Sequence, residues 1–189
     1  DQEMLRTLPR QEIISGLGEI IKYGAIADKS FFDKVSIWLD DMQNFPLNEA
    51  IEICCKIKAD IVSKDEQDFG VRKILNFGHT IGHALESFYG LKNIRHGEAV
   101  AFGMICSGYI SHKLNKLDEN QYLCLRDTIK KLPLPILKRV NQNQIFDYIK
   151  KDKKYENGKL NYIILNKIGN AGITNQVGQK LLLKSLLEL

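Results

Sequence analysis

At 189 residues the chain has room for one domain, with at most a small appendage. Its 44% apolar and 26% charged residues are ordinary for a soluble globular protein, so a core can form without disulfides or metal staples. A net charge of +4 with scattered basic residues argues against nucleic acid and fits a small anionic ligand better.

Pro9 precedes an apolar-periodic run. Ile13, Ile14, Leu17, Ile20, Ile21 and Ala25 recur near a 3.6-residue period, which predicts a helix over about 10–26. Ala27-Asp28-Lys29-Ser30 breaks it, and Phe31 to Trp38 forms a second short helix. Pro46-Leu47-Asn48 starts a third, with Ile51, Cys54, Cys55, Ile57, Ile61 and Val62 inward and its last turn at Ser63-Lys64-Asp65. Asp68-Phe69-Gly70 reads as a turn. Arg72 to Phe77 leads into a helix carrying His79, Ile81, His83 and Leu85.

Residues 97–114 are strongly apolar, with Gly97, Gly103 and Gly108 permitting close packing, and predict a buried helix. Pro133-Leu134-Pro135 is a break, and Gln142 to Lys150 is a short helix. After the turn Glu156-Asn157-Gly158, Lys159 to Leu165 reads as a strand. Gly169 to Gly172 reads as a loop, Ile173 to Val177 as a second strand, and Lys180 to Glu188 as a closing helix. The expected architecture is mainly α-helical, one domain over 1–189, with a minor β-hairpin near the C-terminus.

No signal peptide is visible and no apolar run approaches ~18 residues, so neither export nor a membrane span is expected. The cysteines Cys54, Cys55, Cys106 and Cys124 form no CxxC pair and sit among apolar neighbours. They read as buried, reduced thiols of a cytoplasmic protein. The chain opens at Asp1 without an initiator methionine, and chemistry-rich sequence follows at once; it reads as a domain cut from a longer protein.

Three of the four histidines cluster in Asn76-Phe77-Gly78-His79-Thr80-Ile81-Gly82-His83-Ala84 and His96-Gly97-Glu98-Ala99-Val100. Neutral imidazole is the commonest metal ligand. Glu19, in Gly16-Leu17-Gly18-Glu19-Ile20-Ile21-Lys22-Tyr23-Gly24, supplies a carboxylate. Two His and one Glu with an open fourth position is a catalytic zinc arrangement. His79 and His83 share a helix face at i and i+4. This is the spacing of HExxH zinc proteases, but Thr80 occupies the place of the general base. One of the two histidines is therefore free to work on substrate while the other ligates.

Glu19 and Lys22 share another face, where Ile20 and Ile21 favour an inward pair over a surface one. Lys58, Arg72 and Asn76 add groups suited to an anion: an Arg fork binds carboxylate or phosphate, and an Asn amide donates to an oxyanion. Taken singly, each reads as a solvated surface residue. Asp152-Lys153-Lys154, next to Lys150 and Lys151, reads by itself as an exposed basic loop.

These stretches resemble the 3-dehydroquinate synthases. The resemblance runs from Leu8-Pro9-Arg10-Gln11-Glu12 and Glu19-Ile20-Ile21-Lys22-Tyr23-Gly24, through Lys64-Asp65-Glu66 and Gly70-Val71-Arg72. It continues through the Asn76–Ala84 block, His96-Gly97-Glu98 and Asp152-Lys153-Lys154, in order over nearly the whole chain. Gly18 departs from a common Ala, and Gln11 from a common charged residue.

The resemblance implies a C-terminal helical metal domain whose N-terminal NAD-binding α/β partner domain is absent from this chain. It implies zinc, or cobalt, on Glu19, His79 and His96. It gives His83 acid/base or hydrogen-bonding work, Lys22 and Asn76 the phosphate, and Lys58 and Arg72 the substrate carboxylate. Lys153, or Lys154, reaches in from the basic loop.

The implied parent reaction converts DAHP, a phosphorylated keto acid, into 3-dehydroquinate with loss of phosphate, in a cytoplasmic homodimer of the full-length enzyme; the fragment alone is expected to be inactive. Rival readings are a related sugar-phosphate cyclase, a metal-dependent polyol dehydrogenase, and a non-catalytic helical zinc-binding or dimerisation module. Retention of both Lys58 and Arg72 argues against a cyclase whose substrate lacks the carboxylate.

Overall fold

The structure, a computed structural model, describes residues 5, 7–66, 70–90, 92–138, 140–151, 155–156 and 159–189. Helix α1 (Arg10–Ala27) starts after Pro9 and buries Ile14, Leu17, Ile20, Ile21 and Ala25, the stripe read from the sequence. The Asp28 carboxylate ends the linker by accepting from the Phe31 N–H at 3.0 Å, which caps α2 (Lys29–Trp38). Helix α3 (Leu47–Lys64) follows a short 3₁₀ turn at Leu39–Asn44.

A second 3₁₀ turn, Val71–Asn76, leads into α4 (His79–Tyr89), and α5 (His96–Lys113) comes next. Fourteen of the eighteen residues of α5 are buried. A helix apolar all round belongs in a core, and α5 packs against α1, α4, α6 (Glu119–Lys130) and the last helix. Helix α6 has no counterpart among the elements expected from sequence, although Asp118 caps it by accepting from the Gln121 N–H at 2.9 Å.

After α7 (Gln142–Lys151) come two antiparallel pairs, where one hairpin was expected. Strands β1 (Tyr155–Glu156) and β2 (Lys159–Leu160) form the first. The longer β3 (Tyr162–Lys167) and β4 (Asn170–Thr174) form the second. Asn161 interrupts the expected single strand. Gly172 lies within β4, opposite Ile164, and the turn sits at Ile168-Gly169 instead. The second pair is fixed to the helices: Leu165 N–H donates to Ser111 Oγ at 3.0 Å, and Gly169 N–H to the Ala25 carbonyl at 2.8 Å. Helix α8 (Gln179–Ser185) and a terminal 3₁₀ turn close the chain.

The four thiols are free, but only Cys54 and Cys106 are buried; Cys55 and Cys124 are exposed, against the expectation. Neighbouring helical positions point about 100° apart, so Cys54 and Cys55 cannot both face the same core.

Candidate metal centre

Three helices bring the site together. Glu19 lies mid-way along α1, while His79 and His96 are the first residues of α4 and α5. The turn before α4 needs Gly78: its φ is +81°, and a Cβ there would lie 2.8 Å from the Val100 carbonyl oxygen of α5. That close approach sets the start of α4 against α5, and His79 with it. The first turn of α5 is tied to α1 by the Gly97 N–H, which donates to Ser15 Oγ at 2.9 Å. Glu98 closes the same turn by accepting from the Arg95 N–H at 2.7 Å.

Glu19 Oε2 accepts from the Lys22 ammonium, and Lys22 is only 4% exposed. This is the inward pair favoured by the sequence. Glu19 Oε1 is buried and has no hydrogen-bond partner. It faces His96 Nε2 at 3.8 Å and His79 Nε2 at 4.0 Å. The three ligand atoms lie within 4.8 Å of one another.

Both imidazoles present the same nitrogen. His79 Nδ1 lies 3.2 Å from the Phe77 carbonyl, which can only accept, so Nδ1 carries the proton and Nε2 a lone pair. His96 Nδ1 lies 3.1 Å from Glu86 Oε1, with the same result. Burial, then the Lys22 charge, pushes His79 down to about 4 against the opposing pull of Glu19. The imidazole is therefore neutral near pH 7, as a ligand must be.

These donors fit a divalent cation. Two donors around one ion at ~2.1 Å stand about 3.4 Å apart in tetrahedral geometry, about half an ångström closer than the 3.8 and 4.0 Å from Glu19 Oε1 to the two imidazoles. A buried carboxylate oxygen lacking a partner is costly unless something satisfies it. Two nitrogens and one oxygen suit zinc or a similar borderline cation. A second group, His83, Glu86 and His96, also lies within 4.8 Å and shares His96.

Of the other residues singled out by sequence, His83 and Lys58 lie beside members of this centre. The exposed His83 is one turn further along α4, its ring centroid 5.4 Å from that of His79 and 5.9 Å from that of His96. The exposed Lys58 opens, with Glu12, Glu19, Tyr23 and Cys55, on a mostly apolar groove of about 350 Å³ between α1 and α3. Arg72 and Asn76 lie on the Val71–Asn76 turn, which packs on α1 and α3.

Arg72 is partly engaged: its backbone N–H donates to Asp65 Oδ2 at 3.0 Å and its Nη1 to the Glu66 carbonyl at 3.1 Å. Lys153 and Lys154 lie outside the described residues. The fourth histidine, His112, is elsewhere; its Nδ1 donates to the Leu117 carbonyl and its ring stacks on Tyr122.

Glu86 and Ser15 were not singled out. Glu86 stands three residues after His83 and seven after His79, on the same face of α4, a spacing that could have found it. Among the described residues the strands form only antiparallel pairs. They offer no parallel strand, glycine-rich turn and helix for a dinucleotide pyrophosphate. Among those residues, too, no helix is long and apolar enough to cross a membrane.

Residues 16–155 match the family described as 3-dehydroquinate synthase C-terminal. The chain belongs to that family. It is 42% identical over 174 residues to a 3-dehydroquinate synthase of Alkaliphilus metalliredigens, covering 90% of this chain and 49% of the relative. It is 39% identical over 184 residues to one of a Synechococcus species, covering 94% and 50%. The chain thus spans about half the length of the curated relatives it matches.

Among solved structures it resembles a Streptomyces hygroscopicus 2-epi-5-epi-valiolone synthase with NAD+ and Zn2+ bound. The TM-score is 0.84 at 23% identity, over 99% of this chain and 53% of that one. A 2-deoxy-scyllo-inosose synthase complexed with carbaglucose-6-phosphate, NAD+ and Co2+ gives 0.80 at 24%, over 100% and 54%. At these identities the likeness shows a shared fold.

Proposed function

We propose that this chain is the metal- and substrate-binding half of a 3-dehydroquinate synthase, whose parent converts DAHP into 3-dehydroquinate and inorganic phosphate. The observation that carries the reading is the buried, unpartnered Glu19 Oε1 facing two Nε2 lone pairs. Glu19, His79 and His96 would hold zinc, or cobalt. Once bound, the cation supplies Lewis-acid stabilisation of negative charge on a substrate oxygen. The family match and the relatives' names support the reaction, and NAD belongs to the part of the parent outside this chain.

The chain's own residues bind and orient. Lys22, buried beside Glu19, carries the fixed positive charge that, with the Asn76 amide, holds the phosphate that departs. Lys58 and Arg72 take the carboxylate at the other end of the substrate. Two anionic ends held at once restrict the substrate to one pose, which raises the effective concentration of reacting groups. His83, exposed beside two other imidazoles, moves a proton through a ring nitrogen at a substrate oxygen. Lys153 adds a further cation. Free thiols suit a reducing cytoplasm, and the full-length parent is read as a homodimer.

Elemental analysis of this chain after zinc loading and gel filtration tests the reading. One equivalent is expected, lost in Glu19→Gln and His79→Ala. Absence of stoichiometric zinc from the unaltered, folded chain would overturn it.

A further inference from the structure

Glu86 approaches His96 from the side away from Glu19. Its carboxylate is 14% exposed and its Oε1 lies 3.1 Å from His96 Nδ1. An ionised carboxylate only accepts, so this contact keeps the proton on Nδ1 and leaves the lone pair on Nε2. That Nε2 is the atom facing Glu19 Oε1. The His96 side chain is 45% exposed at the start of its helix, so packing alone leaves its ring free to turn. His79 differs: it is 12% exposed and held by the Phe77 carbonyl of its own chain segment.

We infer that Glu86 is the positioning residue for His96, fixing its tautomer and ring orientation for metal binding. This rests on the reading that the cation sits among Glu19, His79 and His96. A ligating imidazole whose other nitrogen donates to a carboxylate is also the more basic ligand, and loss of such a partner typically weakens metal binding 10- to 100-fold. The competing arrangement places a cation among His83, Glu86 and His96, with Glu86 itself a ligand. The observations favour the first, because the orphaned buried oxygen belongs to Glu19.

Two readouts on this chain test the inference: zinc affinity by chelator competition, and the His96 tautomer by nitrogen-15 NMR of the metal-free protein. Glu86→Ala should weaken zinc about 10- to 100-fold and release His96 from the Nδ1–H tautomer. Glu86→Gln keeps an acceptor oxygen without the charge. It should keep the tautomer and lose less affinity, and it decides the matter if Glu86→Ala fails to fold. Unchanged zinc affinity and tautomer in Glu86→Ala, with Glu19→Gln and His79→Ala still abolishing binding, would overturn the role of Glu86 and leave the site reading intact. Binding that survives Glu19→Gln and His79→Ala but is lost in His83→Ala and Glu86→Ala would overturn both.

Discussion

Gly18 on α1 meets Gly97 on α5 backbone to backbone: a Cβ built on Gly18 would lie 2.6 Å from the Gly97 carbonyl oxygen. Each glycine adjoins a proposed ligand, Glu19 or His96. The contact therefore sets the distance between two ligands from two different helices.

Gly97→Ala would drive a methyl group into the Ser15 backbone. Overpacking of this kind costs about 1–3 kcal/mol, and here it should also weaken zinc binding. Gly16, on the same helix with open space around it, is the control. Gly16→Ala should raise stability by up to about 1 kcal/mol. Urea unfolding and zinc titration of both variants measure the pair of effects.

Glu19→Ala and Lys22→Met should differ in the metal-free chain. The first leaves the Lys22 ammonium, 4% exposed, without its carboxylate. The second leaves Glu19, which is 29% exposed and better able to reach water. Glu19→Ala should cost roughly 3 kcal/mol or more, and Lys22→Met less. Unfolding curves in the presence of a chelator would refute this if the order were reversed.

In the full-length parent, His83→Ala should retain zinc and lose turnover by about 10²- to 10⁴-fold, the usual worth of a positioned acid or base. Zinc loss in this variant would instead make His83 a ligand.

Arg72→Lys in the parent replaces a planar fork by a point charge. Loss of one charge-assisted hydrogen bond is worth about 1.5–3 kcal/mol, so the Michaelis constant should rise about 10- to 150-fold. Asp65→Ala should act in the same direction. Asp65 Oδ2 accepts from the N–H groups of Gly70 and Arg72 and so holds the backbone of that arginine. Unchanged kinetics in Arg72→Lys would remove Arg72 from the substrate site.

Thiol labelling separates the cysteines. Cys55 and Cys124, being exposed, should react before Cys54 and Cys106, while burial pushes Cys54 up to about 12 and raises Cys106 further. A group raised on folding stabilises the fold below its unfolded value, here about 8.5. That contribution is lost as pH rises towards the folded values. Stability should fall above about pH 9, and replacing Cys54 by Ser should flatten part of the fall. Equal labelling rates for Cys54 and Cys55 in the folded chain would contradict the burial argument.

Helices α1, α3 and α5 fall within two residues of the sequence reading, because long apolar runs at helical spacing admit few alternatives. Helix α6 was missed because only Tyr122, Leu125, Thr128 and Ile129 are buried in a largely polar segment. The C-terminal strand was read as continuous through Asn161, since periodicity alone does not show which neighbour each half pairs with.

In the site, a histidine cluster with a nearby carboxylate was legible from ligand chemistry, while the choice of Glu19, His79 and His96 came from the family resemblance; their ligand atoms lie within 4.8 Å of one another. Glu86 shares the helix face of His79 and His83, which the spacing shows, but its partner is not visible there, and a glutamate near a helix end normally faces water. What it does depends on His96, ten residues on, folding back across α4.

The first turn of α5 has consequences for lifetime. Helix ends usually fray, since their leading amides lack partners within the helix. Here Ser15 holds the Gly97 amide from a different helix, Glu98 holds the Arg95 amide, and most of the turns beyond are buried. Opening the backbone around His96 would mean separating the start of α5 from α1, although the exposed His96 ring itself turns without it. Amide exchange at Gly97 should therefore be slow for a helix-end position and should speed up in Ser15→Ala.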